Sequence, residues 1–302
     1  MQGSGIAGTT FQSFSLFRVM CWLILILILA VTTAPFWIVL KTAFMHSQDV
    51  FTHSTELKLY DPTIINFERV LGMLNTEESQ KAGGSGAKVN FSLAMFNSFV
   101  FTGLIVIIQT ISAAMAAYAF ARLRFPGRQV IFALFIASMM IPSVVTLIPN
   151  FVLIRNLGLL NTMPGMIAPF CLMQGFSVFF LRQFFLSLPK ELEEAAYLEG
   201  ASNFYIFHKI ALPLSITPLI TIATLIGINM WNEFLWPFLV AKEESHQVLT
   251  VALQSFKSQT PQGQPDWTGL MAAVSIAIIP TIALLIVFGR NVVESVQFSG
   301  GK

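Results

Sequence analysis

The sequence predicts an all-α polytopic membrane protein with six transmembrane helices. Hydrophobic residues occupy 55% of the 302 positions and charged residues only 11%, whereas an average soluble domain is about a quarter charged. Six apolar stretches are long enough to cross a bilayer as helices. One segment, residues 182–213, interrupts the apolar second half with a polar helix-turn-helix pattern. This segment predicts a surface helix pair between the fourth and fifth spans.

Composition excludes several functional classes. The net charge of +2 gives no case for nucleic-acid binding. Cys21 and Cys171 lie inside apolar runs and cannot build a disulfide framework, and the four histidines lack the spacing of metal ligands. The chain has no GxxxxGK(S/T) phosphate loop, no HExxH motif and no nucleophile–base pairing. We therefore expect no enzyme activity, no metal and no cofactor in this chain.

The first span follows a short tail. Residues 1–18 are expected to form a loose cytoplasmic tail, and residues 19–40 carry no charge. As a helix, this run spans about 30 Å. A cleaved signal peptide would have a shorter apolar core, of about 7–15 residues.

Residues 41–90 change in character, because they mix acidic and basic residues. They contain the glycine-rich patch Gly83-Gly84-Ser85-Gly86. This composition predicts an external segment with a flexible end and no core of its own. We expect one short helix in it, from Asn66 to Leu74.

The five other spans are predicted at about residues 95–121, 130–148, 164–181, 214–240 and 268–289. In the second span, Ala113, Ala117 and Ala121 repeat every four residues, and small residues at this spacing let helices approach closely in lipid. Pro280 is expected to kink the sixth span. A carbonyl freed by the kink then needs a partner within the bundle.

Charge in the short loops predicts the orientation. The loop from Arg122 to Arg128 contains three arginines, and arginine density in short loops marks the cytoplasmic side. Counting spans from an inside N-terminus also places residues 182–213 in the cytoplasm, together with the tail 291–302. Residues 41–90 and 241–266 are then external.

The first half of the polar segment reads as a short surface helix. Pro189 suits a first helical position. Glu191, Glu193 and Glu194 follow where the helix dipole favours negative charge. Gly200 can end this helix.

The second half reads as another helix. Ser202 can cap it, and Pro213 is expected to break it. Phe204, Phe207 and Ile210 form a loosely helical apolar stripe. On pattern alone, an amphipathic loop that floats on lipid is an open alternative.

The run Glu194-Ala195-Ala196, then Gly200 and Ile210-Ala211-Leu212-Pro213, resembles the EAA loop of ABC-importer permeases. In that family the loop is a coupling helix that docks into a groove of a cytoplasmic ATPase. The resemblance therefore implies an ATPase-docking set of Glu194, Ala195, Ala196, Glu199, Gly200, Phe204, Phe207 and Pro213. Many sugar-type members have Asp before the glycine, where this chain keeps the charge with Glu199.

The fifth span contains an acidic residue, Glu233, near its outer end. The rise from Leu214 to Glu233 is about 28 Å, which places the carboxylate near the outer interface. Asn229, Trp231, Asn232 and Glu233 together could line a polar solute pathway, because sugar hydroxyls need donors and acceptors and sugar faces pack on aromatic rings. Two alternatives stay open: Glu233 is an interfacial anchor, or it holds the helix in register by a bond to a neighbour.

Further motifs resemble those of carbohydrate-importer permeases of the maltose type. They are the Trp231-Asn-Glu-Phe and Trp236-Pro run, Asp266-Trp267 with Leu270-Met-Ala-Ala273, Asn97-Ser98 and Pro126-Gly127. The likeness covers residues 19–290, and the short C-terminal tail departs from it.

The resemblance implies a multi-pass protein of the bacterial plasma (inner) membrane that imports a sugar-like solute. It implies a homologous second permease, an extracytoplasmic solute-binding protein and two ATPase subunits that bind ATP and Mg. Membrane lipid surrounds the assembly. The alternatives are an ion-coupled secondary transporter, which would show midplane charges and related halves, and a structural scaffold, which has no need of the 194–213 pattern.

Overall fold

The computed structural model describes residues 9–53, 56–85, 89–257 and 263–300. Regular secondary structure in these ranges is helical, which confirms the predicted all-α class. The expectations for residues 1–8, Gly86 and residues 301–302 lie outside the described ranges.

The α-helices, numbered along the chain, are α1 (Thr9–Ala43), α2 (Ile65–Val70), α3 (Thr76–Lys81), α4 (Phe91–Arg122), α5 (Arg128–Ser138), α6 (Ser143–Asn156), α7 (Met163–Ile167), α8 (Gly175–Ser187), α9 (Lys190–Leu198), α10 (Asn203–Ile206), α11 (Leu212–Leu214), α12 (Ile216–Trp231), α13 (Leu235–Val240), α14 (Leu249–Ala252), α15 (Trp267–Ala277) and α16 (Ile279–Gly300). Turns of 3₁₀ helix cover Ala168–Phe170, Glu244–His246 and Leu253–Lys257, and a π-helical turn covers Phe207–Ala211.

Three stretches of the described chain are single helices long and apolar enough to cross a membrane: Leu16–Ala43, Phe91–Arg122 and Trp267–Val293. Three bent pairs, α5 with α6, α7 with α8, and α10–α11 with α12, also pass if each pair is one span. The bends are 98°, 52° and 79° respectively. The described chain therefore offers up to six spans.

Several predicted boundaries differ from the observed ones, and two differences are large. Helix α1 begins at Thr9, so residues 9–18 are helical and not a loose tail, although the apolar span itself begins at Leu16. In the third span the chain is extended at Pro142 and turns sharply into α6, which continues to Asn156. Proline cannot continue a helix without losing a backbone hydrogen bond, so the predicted third span is broken there.

Residues 1–87 and 256–275 form one compact unit. Its described part is held by a buried polar network, not by apolar packing alone. Arg69 donates to Asp266 from both terminal nitrogens, at 2.9 and 3.2 Å, and also to Asn66 at 2.6 Å. The Asn66 amide in turn donates to the carbonyls of Ala43 and Met45. The described part of residues 41–90 is thus organised around buried contacts that Asp266, from outside this segment, completes. That the segment has no core of its own stays a prediction.

The glycine-rich patch has a packing role within that unit. A Cβ on Gly84 would collide with Arg69 Nη1 and would lie 2.7 Å from Ser79 Oγ. The backbone N–H of Ser85 donates to Asp266 at 3.2 Å. The described part of the patch is thus a close-packed turn around the ion pair, contrary to the flexible end that composition predicted.

The second compact unit, residues 88–255 and 276–302, is built on α4. Helix α4 packs against α8 and α12, and α12 packs against α16. Ala113, Ala117 and Ala121 are buried in the same cluster as α8 residues Val178 and Leu181. This confirms the expectation that small residues on α4 allow close helix packing.

Breaks in the spans free backbone carbonyls, and side chains of neighbouring helices satisfy several of them. Gln109 of α4 donates to Phe170 and Leu172 between α7 and α8, at 3.2 and 3.4 Å. Trp231 Nε1 donates to the carbonyl of Ala277, at 3.0 Å, at the end of α15 and just before the interruption at Ile278. Such satisfaction is required for irregular backbone at membrane depth.

Candidate coupling and transport site

Helix α9 forms where the acidic run and its flanking caps predicted it. Pro189 is extended and directly precedes the first helical residue, Lys190, so it lies one position before the predicted place. Gly200 has φ +85°, and its N–H and that of Ala201 bond back to Tyr197 and Ala196. A left-handed glycine after the last turn is a standard helix stop.

The second helix of the segment begins at the predicted cap. The side chain of Ser202 accepts from the N–H of Tyr205 at 3.2 Å. Pro213 does not break the helix, because the turn widens to π geometry at Phe207–Ala211. Proline has no N–H for the carbonyl of Lys209, and the wider turn accommodates that loss. The chain breaks two residues later, at Ser215, before α12.

Helix α9 has two distinct faces. Glu193 is buried and Ala196 packs, half-buried, against the apolar core. Glu191, Ala195 and Leu198 are exposed, at the i, i+4 and i+7 spacing of one helix side. Because Ala196 points inward, only Ala195 of the predicted pair lies on the face that a partner could approach.

The predicted docking stripe is divided by the fold. Phe204 is 70% exposed, but Phe207 is buried, and its ring lies 5.2 Å from that of Tyr118 in α4. The prediction that Phe207 contacts an ATPase is therefore wrong: it anchors the loop to the bundle. Glu194, Glu199, Gly200 and Pro213 are exposed.

Sequence reasoning missed the roles of three residues in this segment, two exposed and one buried. Leu198 is 90% exposed and lies at the tip of α9, and Tyr205 is also exposed beside Phe204. Helical spacing from Glu191 could have found Leu198. The third residue, Glu193, was read only as a dipole partner, yet its carboxylate lies 3.0 Å from Arg122 Nε.

Burial raises the pKa of the Glu193 carboxyl above its ordinary value, and the charge of Arg122 opposes that shift. Arg122 is the last residue of α4 and also donates to the carbonyl of Leu188 at 2.6 Å. A cation suits the C-terminal end of a helix. The pair therefore joins α9 to the C-terminal end of α4.

The predicted pathway residues lie at the end of α12, with different surroundings. Asn229 and Asn232 are exposed, and each side-chain amide donates to the carbonyl four residues earlier. Each amide oxygen is free to accept because a side-chain amide carries both donor and acceptor atoms. The two residues, three positions apart, form a polar edge on one side of the helix.

Trp231 does not share that edge. Its side chain is buried, its ring lies 4.9 Å from that of Phe99, and its N–H is used by Ala277. Trp236 is likewise buried, and its N–H donates to the carbonyl of Met166. The prediction of a stacking face at Trp231 is wrong for this reason.

Glu233 lies in the break between α12 and α13. Its carboxylate accepts from the N–H of Trp236 at 3.2 Å, and its carbonyl accepts from the hydroxyl of Thr250 at 2.7 Å. The carboxylate thus satisfies one of the free N–H groups at the start of α13. Of the open alternatives, these contacts favour a bond that holds the chain in register.

The adjoining loop is tied to α4 through the predicted motif residues Asn97 and Ser98. The Asn97 amide donates to the carbonyls of Ser245 and Gln247, both at 3.0 Å. Ser98 accepts from the N–H of Leu249 at 2.7 Å. These residues therefore organise the loop that follows α13.

A helical bundle of membrane-spanning length that presents a polar helix outside its core has the architecture of a membrane permease subunit. Residues 109–297 match the family described as the binding-protein-dependent transport system inner membrane component. The match extends from within α4 to within α16, and the chain belongs to this family. It is a multi-pass protein of the inner membrane.

Two relatives of the chain are also named as transport permeases. The chain is 30% identical over 282 residues to the probable ABC transporter permease protein YurM of Bacillus subtilis (strain 168), covering 93% of this chain and 87% of that protein. It is 35% identical over 206 residues to the arabinooligosaccharides transport system permease protein AraQ of Halalkalibacterium halodurans, covering 68% and 72%.

A solved structure has the same fold. It is a crystal structure of a bacterial ABC transporter involved in the import of the acidic polysaccharide alginate, and the matched chain gives a TM-score of 0.77. The alignment covers 95% of this chain and 99% of that chain at 23% identity.

Proposed function

We propose that this chain is the translocation subunit of an ABC importer for a sugar or sugar-like solute, driven by ATP hydrolysis in separate subunits. The observation that carries the proposal is α9: its inner face is packed into the bundle and its outer face, with Leu198 at the tip, is bare. An exposed apolar tip on a cytoplasmic helix suits a groove of another protein. Family membership supports the same reading.

The assembly proposed is the one that the family resemblance implies. Two ATPase subunits bind ATP and Mg and receive α9 and its counterpart on a homologous permease. An external binding protein delivers the solute. Closure of the ATPases then changes the access of the bundle by rigid-body motion. Six spans, with α9 as the coupling helix between the fourth and fifth, accommodate this arrangement.

For the solute we propose a carbohydrate that passes the polar edge of Asn229 and Asn232. Amide groups both donate to and accept from hydroxyls, and exposed amides at membrane depth are otherwise costly. AraQ, which this chain resembles, is named for arabinooligosaccharides. Glu233 shapes the edge by holding the break after Asn232.

The topology can be tested by cysteine labelling in a Cys21→Ala, Cys171→Ala background. Lys190 and Glu244 are both exposed, so a cysteine at either position is accessible without disturbing the core. We expect a membrane-impermeant maleimide to label Glu244→Cys in intact cells and Lys190→Cys only after permeabilisation. Labelling of Lys190→Cys from outside, with none at Glu244→Cys, would overturn the proposed orientation.

The pathway can be tested by Asn232→Ala and Glu233→Gln. We expect Asn232→Ala to weaken transport affinity by about 1 kcal/mol, or fivefold, the net worth of one hydrogen bond. Glutamine keeps an acceptor for Trp236, so Glu233→Gln should retain membrane abundance, and any change in uptake would report the charge itself. The measurements are uptake kinetics and membrane abundance.

Asn156→Ala is the matched control, since Asn156 is an exposed asparagine at the end of α6. If Asn232→Ala shows unchanged transport affinity at full membrane abundance, the proposal that the polar edge lines the pathway is wrong. Uptake that follows an ion gradient in vesicles without ATP would favour the secondary-transporter alternative.

A further inference from the structure

The ion pair between Arg122 and Glu193 joins α4, which belongs to the bundle, to α9, which projects from it. Arg122 ends α4, the helix around which the bundle packs, and Glu193 lies in the first turn of α9. Their side chains are 5% and 10% exposed. The pair is therefore almost withdrawn from solvent, although α9 itself projects from the bundle.

The contact is specific, because few other groups can replace it. Glu193 Oε1 has no hydrogen-bond partner in the described part of the chain, so its stabilisation rests on the nearby guanidinium. The guanidinium also donates to the carbonyl of Leu188, immediately before Pro189. One side chain thus holds both the entry to α9 and its first turn. Removal of one partner from a buried pair leaves an uncompensated charge, which is strongly unfavourable.

Aromatic packing surrounds the same point. The Tyr118 ring, one turn before Arg122 on α4, lies 5.7 Å from Phe185 of α8 and 5.2 Å from Phe207. Arg182 of α8 donates to the carbonyl of Phe120 at 3.2 Å. The end of α4 is therefore fixed to α8 and to the second helix of the loop, while Arg122 fixes it to α9.

The two faces of α9 then have separate roles. The outer face, with Ala195 and Leu198, meets the ATPase under the proposed function, on which this inference rests. The inner face meets α4 through Glu193 and Ala196. A displacement of the outer face reaches the bundle through the inner face as well as through the chain at either end of α9. The ion pair is the charged, directional contact of the inner face.

We propose that Arg122 and Glu193 are positioning residues that transmit motion of α9 to α4, so that they set how much transport follows each ATP hydrolysed. A purely structural pair would determine only how much complex assembles. A transmitting pair determines the ratio of solute uptake to ATP hydrolysis in complexes that have assembled.

The experiment compares Glu193→Gln, Glu193→Asp and Arg122→Lys in the whole transporter, reconstituted with its binding protein. Glu77→Gln is the matched control, because Glu77 is an exposed glutamate in the first turn of α3 and lies outside the proposed docking face of α9. The readouts are the amount of assembled complex, the rate of ATP hydrolysis and the uptake of solute per ATP.

We expect Glu193→Gln to lower uptake per ATP by at least about fivefold, the lower range of coupling between two sites. Glu193→Asp keeps the charge and should recover part of the ratio. Arg122→Lys keeps the charge without the fork that holds Leu188, and should fall between wild type and Glu193→Gln. Glu77→Gln should match wild type.

An unchanged ratio in assembled Glu193→Gln would overturn the inference. If Glu193→Gln does not assemble, the uptake per ATP of Arg122→Lys decides the question. A normal uptake per ATP in Arg122→Lys would show that the pair has only a structural role. Failure of Arg122→Lys to assemble as well would lead to the same conclusion. Absence of ATP-dependent uptake in wild type and in Glu77→Gln would instead refute the proposed function.

Discussion

Replacement of Leu198 by aspartate is expected to abolish solute uptake while the subunit remains inserted in the membrane. Leu198 is 90% exposed, so a carboxylate there costs the isolated chain little. In a docked contact the same carboxylate would be buried without a partner, which costs at least about 3 kcal/mol. That loss corresponds to an affinity for the ATPase that is more than about a hundredfold lower.

The measurement is uptake together with recovery of ATPase subunits on purification through this chain. Leu57→Asp is the matched control, because Leu57 is also a largely exposed leucine, at 76%, and lies in the proposed external segment. Loss of uptake and of ATPase recovery should occur in Leu198→Asp alone. Normal uptake by Leu198→Asp at normal abundance would show that the tip of α9 does not dock.

The turn beside Leu198 allows a second test of docking at the tip of α9. Gly200 has φ +85°, and proline is locked near −65°, so Gly200→Pro must displace the tip of α9. We expect lost uptake with retained insertion. Ala196→Asp is less informative, because Ala196 packs against the core and the new charge would damage the bundle before it reached any partner.

The second large effect is expected in the unit that contains Asp266. Asp266→Asn removes the charge that faces Arg69, and these side chains are only 3% and 2% exposed. Breaking a buried ion pair costs about 3–5 kcal/mol. We expect faster proteolysis between residues 41 and 85, and lower abundance of the chain in membranes.

Asp61→Asn is the matched control. Asp61 lies 3.5 Å from His46, but this pair is open to solvent, and exposed pairs contribute about 0–1 kcal/mol. Equal protease resistance of Asp266→Asn and Asp61→Asn would contradict the importance assigned to the buried network. Partial recovery in Arg69→Met with Asp266→Leu would support it, since an apolar pair leaves no isolated charge.

The sequence anticipated the local features of the coupling segment well. The cap at Ser202 and the stop at Gly200 both occur as expected, because caps and left-handed turns depend on the residue and its nearest neighbours. The close packing of Ala113 and Ala117 was also readable, since it requires only small residues at helical spacing.

The residues whose roles were wrong share one property: their environment comes from distant parts of the chain. The sequence pattern marks Phe207 as a docking residue, but in the fold its ring packs against Tyr118. The pattern likewise marks Trp231 as a stacking face, but its ring packs against Phe99 and its N–H donates to Ala277. Glu233 is polar in either setting, and only the fold shows that it bonds Trp236. Periodicity indicates that a residue is amphipathic, but not what lies opposite.

The sequence by itself determined the all-α membrane class, the family and the position of α9, because hydropathy, caps and motif spacing are local properties of the chain. Only the tertiary structure decided which face of α9 is bare, and which charges are buried together. Asp266 meets Arg69 and Glu193 meets Arg122 across long separations in sequence. Such pairs form because a charge withdrawn from water needs an opposite charge beside it, and helix packing determines which one is within reach.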